Sequence, residues 1–471
     1  MHTTLYVISD LHLGGAPSGD GGRGFQICPP RTQALLAAFI DGLPGRQGSA
    51  DVRLVIAGDI VDFLAEVPFE AFTPDAAEAR AKLASILQHT APVWQALQRF
   101  AVERDGAVTL MLGNHDIELS LPGARQLLLE RIGPGRIDFI YDNEAFTCGP
   151  VLIEHGNRFD AWNAVPHGAL RRVRSQLSRA LAVTPAFPAL PGSRLVVDVM
   201  NPLKKQYPFI DLLKPENAGA LPIAAALGAG GVRDVWQAFQ RFRQTWAVDY
   251  DENQEPLDEE FVSAKENDDQ RLFDLAEDIA AGGAASQVSA VGDALKGAAG
   301  ALSEQLRRAR RAALFKALNG SLDAHRDAFD IDKEIDIYLV PARRSAGAGF
   351  QVVVYGHTHL AKRIALGAAG AAMPVYLNTG TWADLMRVPE AIWGADPAVS
   401  RQALEAFVDD LERSRLDPWR RAVPTYARIE VDGERVTSAD VYFADGDAGE
   451  ALSTAGILRR LEGGGAHAQR Q

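Results

Sequence analysis

Histidine, aspartate and asparagine recur in this sequence directly after short apolar runs. In QVVVYGHTHL (351–360), a strand-like run leads into a glycine and then into His357 and His359. An imidazole gains nothing from an apolar core, so histidines at the end of a buried strand need another explanation. The same pattern occurs at four further places, with the polar residues Asp10 and His12, Asp59 and Asp62, Asn114 to Asp116, and His155 with Asn157.

We expect an alternation of strands and helices to position these residues. Apolar runs predict strands at 5–9, 54–57, 108–112, 139–141, 151–154 and 352–355. Helical spacing predicts a helix at 31–41 and one or two helices at 76–102. This alternation indicates a largely parallel, helix-covered sheet with its chemistry at the carboxyl ends of the strands. Asp10 and His12 are two residues apart, so an extended backbone would project both to one side, and likewise His357 and His359.

Two interpretations of these strand ends compete: core histidines with turn-forming aspartates, or the ligands of a metal centre. Five strand ends with the same chemistry favour the metal centre. The candidate ligands, more than one tetrahedral site can use, are Asp10, His12, Asp59, Asn114, His155, His357 and His359. Their nitrogen and oxygen atoms suit two divalent cations that share a bridging carboxylate. Such a pair would hold a phosphoryl group and activate a water, which indicates attack on phosphorus.

The motifs D-x-H, G-D-x-x-D, G-N-H-D, a single strand-end histidine and G-H-x-H occur in that order between Asp10 and His359. Together they resemble the calcineurin-like metallophosphoesterases. The resemblance implies an α/β fold, a four-layer sandwich of two mixed β-sheets flanked by helices, with a dinuclear centre at one edge. Manganese is the expected metal, with iron, zinc and nickel as alternatives.

The resemblance also implies a role for each residue, carried over by position. One metal would be bound by Asp10, His12 and His359, the other by Asn114, His155 and His357, and Asp59 would bridge the two. His115 would stabilise charge on the phosphoryl group or protonate the leaving oxygen, and Asp116 would orient its imidazole. Residues 379–382 (TGTW) resemble the segment that closes this site in many members, with an ordinary turn as the alternative.

Within the superfamily, His155-Gly-Asn resembles the UDP-2,3-diacylglucosamine hydrolase-like branch. Those enzymes commonly carry arginine where this chain has His115, and they are much shorter. These differences weaken the case for assigning the lipid-nucleotide substrate of that branch to this chain. General phosphodiesterases of the superfamily keep the Gly-Asn-His-Asp seen here.

About 200 residues separate His155 from His357, far more than an ordinary connection between core elements. We therefore expect the core to occupy 1–165 and 346–450, with a large, mainly helical insertion (cap) at 166–345 and a partly disordered tail at 451–471. Within the insertion, the sequence predicts a basic amphipathic helix at 170–181, an apolar surface at 201–215 and an aromatic helix at 234–246. Four arginines at 307, 308, 310 and 311 are either a solvated helix face or contacts to anionic lipid or phosphate.

Composition limits the partners of the chain. A formal charge of −13 argues against a stable complex with nucleic acid. Two cysteines and no apolar run of membrane-spanning length indicate a cytoplasmic protein, with peripheral membrane contact through the insertion as an alternative. Candidate substrate contacts are Arg23, Arg158 and Trp162.

The sequence therefore predicts a dinuclear metal-dependent hydrolase of phosphate esters. The first choice is a phosphodiester or pyrophosphate bond, attacked in line by a metal-activated hydroxide, in a substrate that could be nucleotide- or lipid-linked. A phosphomonoester phosphatase and a catalytically inactive scaffold on the same fold are the alternatives.

Overall fold

A computed structural model of the chain describes residues 2–15, 25–48, 50–205, 207–215, 221–226, 299–367, 374–445 and 449–462. The candidate contact Arg23, the predicted aromatic helix at 234–246 and the end of the tail at 463–471 lie outside these ranges. The predicted α/β class is confirmed, because mixed sheets and helices make up the described chain. In these ranges, no helix combines the length and the apolar character needed to span a bilayer.

Each of the six predicted apolar runs overlaps one of the described strands. The strands are β1 (His2–Ile8), β2 (Asp51–Ala57), β3 (Ala107–Met111), β4 (Arg136–Ile140), β5 (Phe146–Cys148), β6 (Val151–Ile153), β7 (Leu213–Lys214), β8 (Val352–Tyr355), β9 (Lys362–Ala365), β10 (Val375–Asn378), β11 (Asp384–Arg387), β12 (Arg421–Ala422), β13 (Thr425–Asp432) and β14 (Arg435–Phe443).

The helices fall into three groups along the chain. Those of the first part are α1 (Pro30–Gly42), α2 (Ala76–His89), α3 (Ala91–Gln98) and α4 (Pro122–Ile132). Those of the predicted insertion are α5 (His167–Leu177), α6 (Pro191–Leu195), α7 (Asn201–Lys204), α8 (Leu221–Ala226), α9 (Ala299–Gly320), α10 (Leu322–Phe329) and α11 (Asp336–Gly347). The last are α12 (Pro397–Glu412) and α13 (Thr454–Glu462). Of the two alternatives predicted for 76–102, one helix or two, the structure has two, because Pro92 at the start of α3 cannot continue the hydrogen bonding of α2.

The first sheet has six strands in the order β14-β13-β1-β2-β3-β4. Strands β1 to β4 run parallel, whereas β13 and β14 are antiparallel to their neighbours. The second sheet has the order β5-β6-β8-β10-β9, in which β6, β8 and β10 are parallel. A small third sheet joins β12, β11 and β7.

Apolar side chains pack the two large sheets against each other. Leu5 and Val7 of β1 share one buried cluster with Val352 and Val354 of β8. The opposite face of the first sheet packs against α1 to α5 in a second cluster. The opposite face of the second sheet packs against α11 through Leu339 and Ala342. Strands buried on both faces explain why β1, β2, β3 and β8 read as continuous apolar runs.

Parts of the predicted insertion are built into this framework. The predicted boundary at 345 falls inside α11, which packs on the second sheet. The expected apolar surface at 201–215 is wrong, because Tyr207, Phe209 and Leu213 are buried against Met386 and Phe407. We call this packed group the insertion–α12 cluster; it joins residues of α8, α9, the 207–213 segment, α12 and the chain around β11.

The basic residues of the insertion form ion pairs within the fold. The predicted basic helix at 170–181 is α5, and its Arg171 donates to the Asp142 carboxylate at 2.6 Å. Arg311 is buried and donates to Asp409 at 2.6 Å, so it is neither a solvated residue nor a lipid contact. At the tail, 454–462 is the helix α13, with Ile457 packed in the core between the sheets.

Candidate metal centre

The candidate ligands follow strands whose carboxyl ends lie at one edge of the sheets. β1, β2 and β3 are parallel neighbours in the first sheet, and β6 and β8 are parallel neighbours in the second. Backbone hydrogen bonds continue past the strands, from Asp10 N to Gly58 O at 3.1 Å and from His12 N to Asp59 O at 2.9 Å. These bonds hold the first two motifs beside each other.

One group of side chains consists of Asp10, His12 and His359. The Nε2 atoms of His12 and His359 are 2.9 Å apart, and His359 Nε2 lies 3.4 Å from Asp10 Oδ1. One donor atom from each of the three side chains lies within 4.8 Å of the others. The three can therefore surround a single cation.

A second group consists of Asp59, His155 and His357, whose donor atoms also lie within 4.8 Å of one another. Asn114 joins it, because its Oδ1 is 3.3 Å from His155 Nε2. Asp59 Oδ2 lies 3.3 Å from His155 Nε2 and 3.7 Å from His12 Nε2. Asp59 thus stands between the two groups, where a bridging carboxylate is required. The structure brings all seven predicted ligands together.

The backbone at these residues differs from the extended conformation expected from the sequence. Positive φ values occur at Asp10 (54°), His12 (44°), Asp59 (49°), His357 (68°) and His359 (63°). The expectation of two extended pairs is therefore wrong: β1 ends at Ile8 and β8 ends at Tyr355, before these residues. Left-handed conformations cost about 1–3 kcal/mol each outside glycine and cluster at functional sites, so their concentration here supports a functional role.

Two glycines allow the motifs to approach this closely. A Cβ on Gly113 would lie 2.0 Å from Asp59 Oδ1, and one on Gly356 would lie 2.5 Å from Asp10 Oδ2. Any larger residue at either position would displace a carboxylate of the cluster. The glycines of G-N-H-D and G-H-x-H are therefore required by the packing of the site itself.

The predicted partner of His115 is wrong. The Asp116 carboxylate accepts from the backbone N–H groups of Ile60 at 2.6 Å and Gly113 at 2.7 Å. It therefore connects the G-D-x-x-D and G-N-H-D motifs. Asp62 lies beside the imidazole instead, with Oδ1 at 3.2 Å from His115 Nδ1. The other Asp62 oxygen is 3.5 Å from His12 Nδ1. Sequence reasoning missed this role, although Asp62 is the second aspartate of G-D-x-x-D.

Charge and burial compete at these side chains. Burial alone would raise the pKa of the Asp10 carboxyl, but the neighbouring His359 and His155 rings outweigh it and lower that pKa to about 2. Burial likewise opposes charge on His115, yet the Asp62 and Asp59 carboxylates raise its pKa to about 9. A raised pKa favours the protonated ring, the form that can donate to a phosphoryl or leaving oxygen.

A second carboxylate missed by sequence reasoning lies beside His357. Asp160 is buried, and its Oδ2 is 3.4 Å from His357 Nε2 and accepts from Asn163 Nδ2 at 2.9 Å. Asn163 Oδ1 in turn accepts from Asn114 Nδ2 at 3.2 Å. Carboxylates of this kind orient a ligating histidine. The sequence signal was weak: an aspartate five residues after His155 in an irregular segment.

The TGTW segment lies against the first group. Thr381 Oγ1 and the backbone N–H of Trp382 both donate to Asp10 O, at 2.7 Å and 3.1 Å. Thr379 Oγ1 is 2.6 Å from Ser9 Oγ. Of the two interpretations of this segment, the one that places it at the site agrees with these contacts.

Two of the candidate substrate contacts interact with residues of the segment that follows β6. Arg158 donates to Glu154 at 2.9 Å, and its guanidinium lies over the Phe159 ring. The backbone N–H of Trp162 donates to Asp160 Oδ1 at 3.1 Å. Both residues therefore stay predictions as substrate contacts, as does Arg23.

The donor set fits divalent cations. Asp10 and Asp59 are buried carboxylates, and within the described ranges no lysine or arginine forms an ion pair with either. Buried charges require a paired charge or a metal. His12 Nδ1 is also buried and makes no hydrogen bond, although Asp62 Oδ2 lies 3.5 Å away. The side chains of His357, His359 and His115 retain 9%, 14% and 20% exposure, so the cluster is accessible from their side.

Comparisons with protein-family models, with curated proteins and with solved structures found no match.

Proposed function

We propose that this protein is a dinuclear metal-dependent hydrolase that cleaves a phosphodiester or pyrophosphate bond. The observation that carries the proposal is the cluster of seven donor side chains in two groups that share Asp59. Five of these residues adopt positive φ, and a network of neighbouring carboxylates and hydroxyls supports them. The packing of an apolar core would not require such an arrangement.

The order of the motifs supports membership of the calcineurin-like metallophosphoesterases. The finer fold in this proposal is a four-layer sandwich with an inserted cap, and the two mixed sheets with helices against their outer faces agree with it. Manganese is the proposed metal, and the mixed shell of imidazole, carboxylate and amide would also suit iron, zinc or nickel. Cys28 and Cys148 are unpaired, in agreement with a cytoplasmic location.

Each group has a role in this proposal. Asp10, His12 and His359 hold one cation, Asn114, His155 and His357 hold the other, and Asp59 contacts both. The cations would neutralise the phosphoryl oxygens and lower the pKa of an attacking water. His115 stabilises the charge that develops on the phosphoryl group or donates its proton to the leaving oxygen. Asp62 fixes the orientation of that ring and favours its protonated form.

The proposal is tested by hydrolysis after metal exchange. Protein stripped with a chelator and reloaded with Mn²⁺ is assayed against bis-p-nitrophenyl phosphate and p-nitrophenyl phosphate. We expect activity only in the reloaded protein, with the diester as the better substrate. Faster hydrolysis of the monoester would favour a phosphatase instead, and metal-independent or undetectable hydrolysis of both would contradict the proposal.

A further inference from the structure

A turn that follows the ligand His155 lies beside the second group of candidate ligands. Backbone hydrogen bonds close this turn, from Asp160 N to Asn157 O at 3.0 Å and from Asn163 N to Asp160 O at 2.9 Å. Asn157 Nδ2 also donates to Asn163 O at 2.8 Å. These bonds fix the backbone from which the side chains of Asp160 and Asn163 extend.

The Asp160 carboxylate faces one ring nitrogen of His357. Asp160 is buried, and its Oδ2 lies 3.4 Å from His357 Nε2. A neutral imidazole has one donor nitrogen and one acceptor nitrogen, so a proton on Nε2 that points to the carboxylate leaves the lone pair on Nδ1. A cation binds the unprotonated nitrogen. Asp160 therefore favours the tautomer of His357 that can bind a cation through Nδ1.

Asn163 fixes the Asn114 amide in a similar way. Asn114 Nδ2 donates to Asn163 Oδ1 at 3.2 Å, which leaves Asn114 Oδ1 on the side of His155 Nε2, 3.3 Å away. An amide binds a cation through its oxygen, because its nitrogen is only a donor. Asn163 Nδ2 donates in turn to Asp160 Oδ2 at 2.9 Å. The contacts to Asn114 and to His357 are therefore joined in one chain of hydrogen bonds.

Helix α6 of the insertion packs directly on this chain of hydrogen bonds. The backbone N–H of Gly192 in α6 donates to Trp162 O at 2.7 Å. A Cβ on Gly192 would overlap Asn163 Oδ1, the atom that accepts from Asn114. Any larger residue at 192 would therefore push the Asn163 amide away. Leu190, just before α6, is buried in the apolar cluster on the outer face of the first sheet, which holds the helix in place.

The chain of hydrogen bonds reaches only one of the two groups of ligands. Within the described residues, neither Asp160 nor Asn163 forms a hydrogen bond or an ion pair with a side chain of the Asp10, His12 and His359 group. The shared carboxylate of Asp59 is not contacted by them either. A change in this chain should therefore affect one cation and spare the other.

We propose that Asp160 and Asn163 are positioning residues for the cation that Asn114, His155 and His357 hold, and that α6 sets their geometry through Gly192. This inference rests on the proposed function for the pair of cations but not for the reaction. It makes the insertion a structural part of this cation site. The other cation site is complete without α6.

A Mn²⁺ titration tests the inference without any assay of activity. Calorimetry on chelator-stripped protein, together with the EPR signal of free Mn²⁺, gives one dissociation constant for each site, and His357→Ala identifies the constant that belongs to the His357 site. Gly192→Ala should raise that constant about 10–100-fold, the loss typical when a group that orients a ligand is changed, and leave the other constant unaltered. Asp160→Asn should act on the same constant, and it serves if Gly192→Ala fails to fold.

The matched control is Gly168→Ala. Gly168 lies in α5 of the same insertion, and a Cβ there would have no atom within 4 Å. This variant should keep both constants.

A double variant separates positioning from a general loss of packing. If Gly192→Ala acts by displacing the Asn163 amide, it should have no further effect on the constant in Asn163→Ala, where Oδ1 is already absent. Additive losses would overturn the route through Asn163. Two Mn²⁺ bound with unaltered constants in both Gly192→Ala and Asp160→Asn would overturn the inference and leave the proposed function standing. Fewer than two Mn²⁺ in the unaltered protein would overturn both.

Discussion

The candidate metal centre and the insertion–α12 cluster are both largely buried, but they are built in opposite ways. In the candidate metal centre, polar side chains at strand ends lie in left-handed backbone and approach each other at two glycines where a Cβ would not fit. In the insertion–α12 cluster, residues such as Phe209, Leu318 and Phe407 pack as ordinary apolar side chains. The first region therefore stores strain for a specific geometry, whereas the second supplies stability.

If this contrast is right, substitutions in the two regions must have separable effects. Changes at the metal centre should abolish metal binding or turnover while the fold survives. Changes in the insertion–α12 cluster should lower the free energy of unfolding while metal content persists.

The largest effect is expected for Asp59→Ala. Asp59 stands between the two groups, 3.3 Å from His155 Nε2 and 3.7 Å from His12 Nε2, so its loss should impair both cation sites. We expect metal content to fall below two ions per chain and hydrolysis to reach background. Elemental analysis of the purified variant is the measurement. Asp138→Ala is the control, because Asp138 is an exposed aspartate on β4 of the same sheet; full metal content in Asp59→Ala would show that Asp59 does not bridge.

The next effect concerns turnover without loss of metal. His115→Ala should keep both ions and reduce kcat by about 10²–10⁴-fold, the contribution of a positioned acid or charge-stabilising group. Asp62→Asn should keep the imidazole but remove the carboxylate charge that orients it, so we expect kcat to fall about 10–100-fold. Steady-state kinetics and metal analysis on the same samples separate the two effects. Metal loss in His115→Ala would instead make His115 a ligand, as its grouping with His12 and Asp62 would also allow.

The smallest effect on activity is expected in the insertion–α12 cluster. Leu318 is fully buried in α9, and Leu318→Ala should lower the free energy of unfolding by about 2–5 kcal/mol. Metal content and kcat at 25 °C should stay unchanged. Lys316→Ala, at an exposed position of the same helix, should change stability by less than about 0.5 kcal/mol. Denaturant unfolding and kinetics provide the comparison, and a loss of bound metal in Leu318→Ala would show that the regions are coupled.

Sequence reasoning predicted the strands and the side chains that cluster at their ends because both leave local signals. Apolar runs such as LYVIS and QVVVY are typical of strands buried on both faces; Asp10 follows the first run directly, and His357 follows the second after one glycine. The left-handed backbone at Asp10 and His357 has no such signal, since neither residue is a glycine and only tertiary packing imposes the conformation.

The partner of His115 shows the same limit at the level of side chains. Asp62 and Asp116 are both aspartates of the motifs, and Asp116 is the sequence neighbour of His115. Which carboxylate faces the ring depends on how the chain turns after β2 and β3, and the structure selects Asp62. Tyr207 and Phe209 illustrate a related error, because an apolar segment with no predicted partner looks like a surface until α9 and α12 are seen to cover it.

The central claim is that this edge of the sheets binds two cations that share Asp59. Crystals of the protein grown with saturating Mn²⁺ and measured at the manganese absorption edge test it directly. We expect two anomalous peaks about 3.5–4 Å apart, one beside Asp10, His12 and His359 and the other beside Asn114, His155 and His357. A single peak, or peaks that leave His155 and His357 without a metal contact, would contradict it.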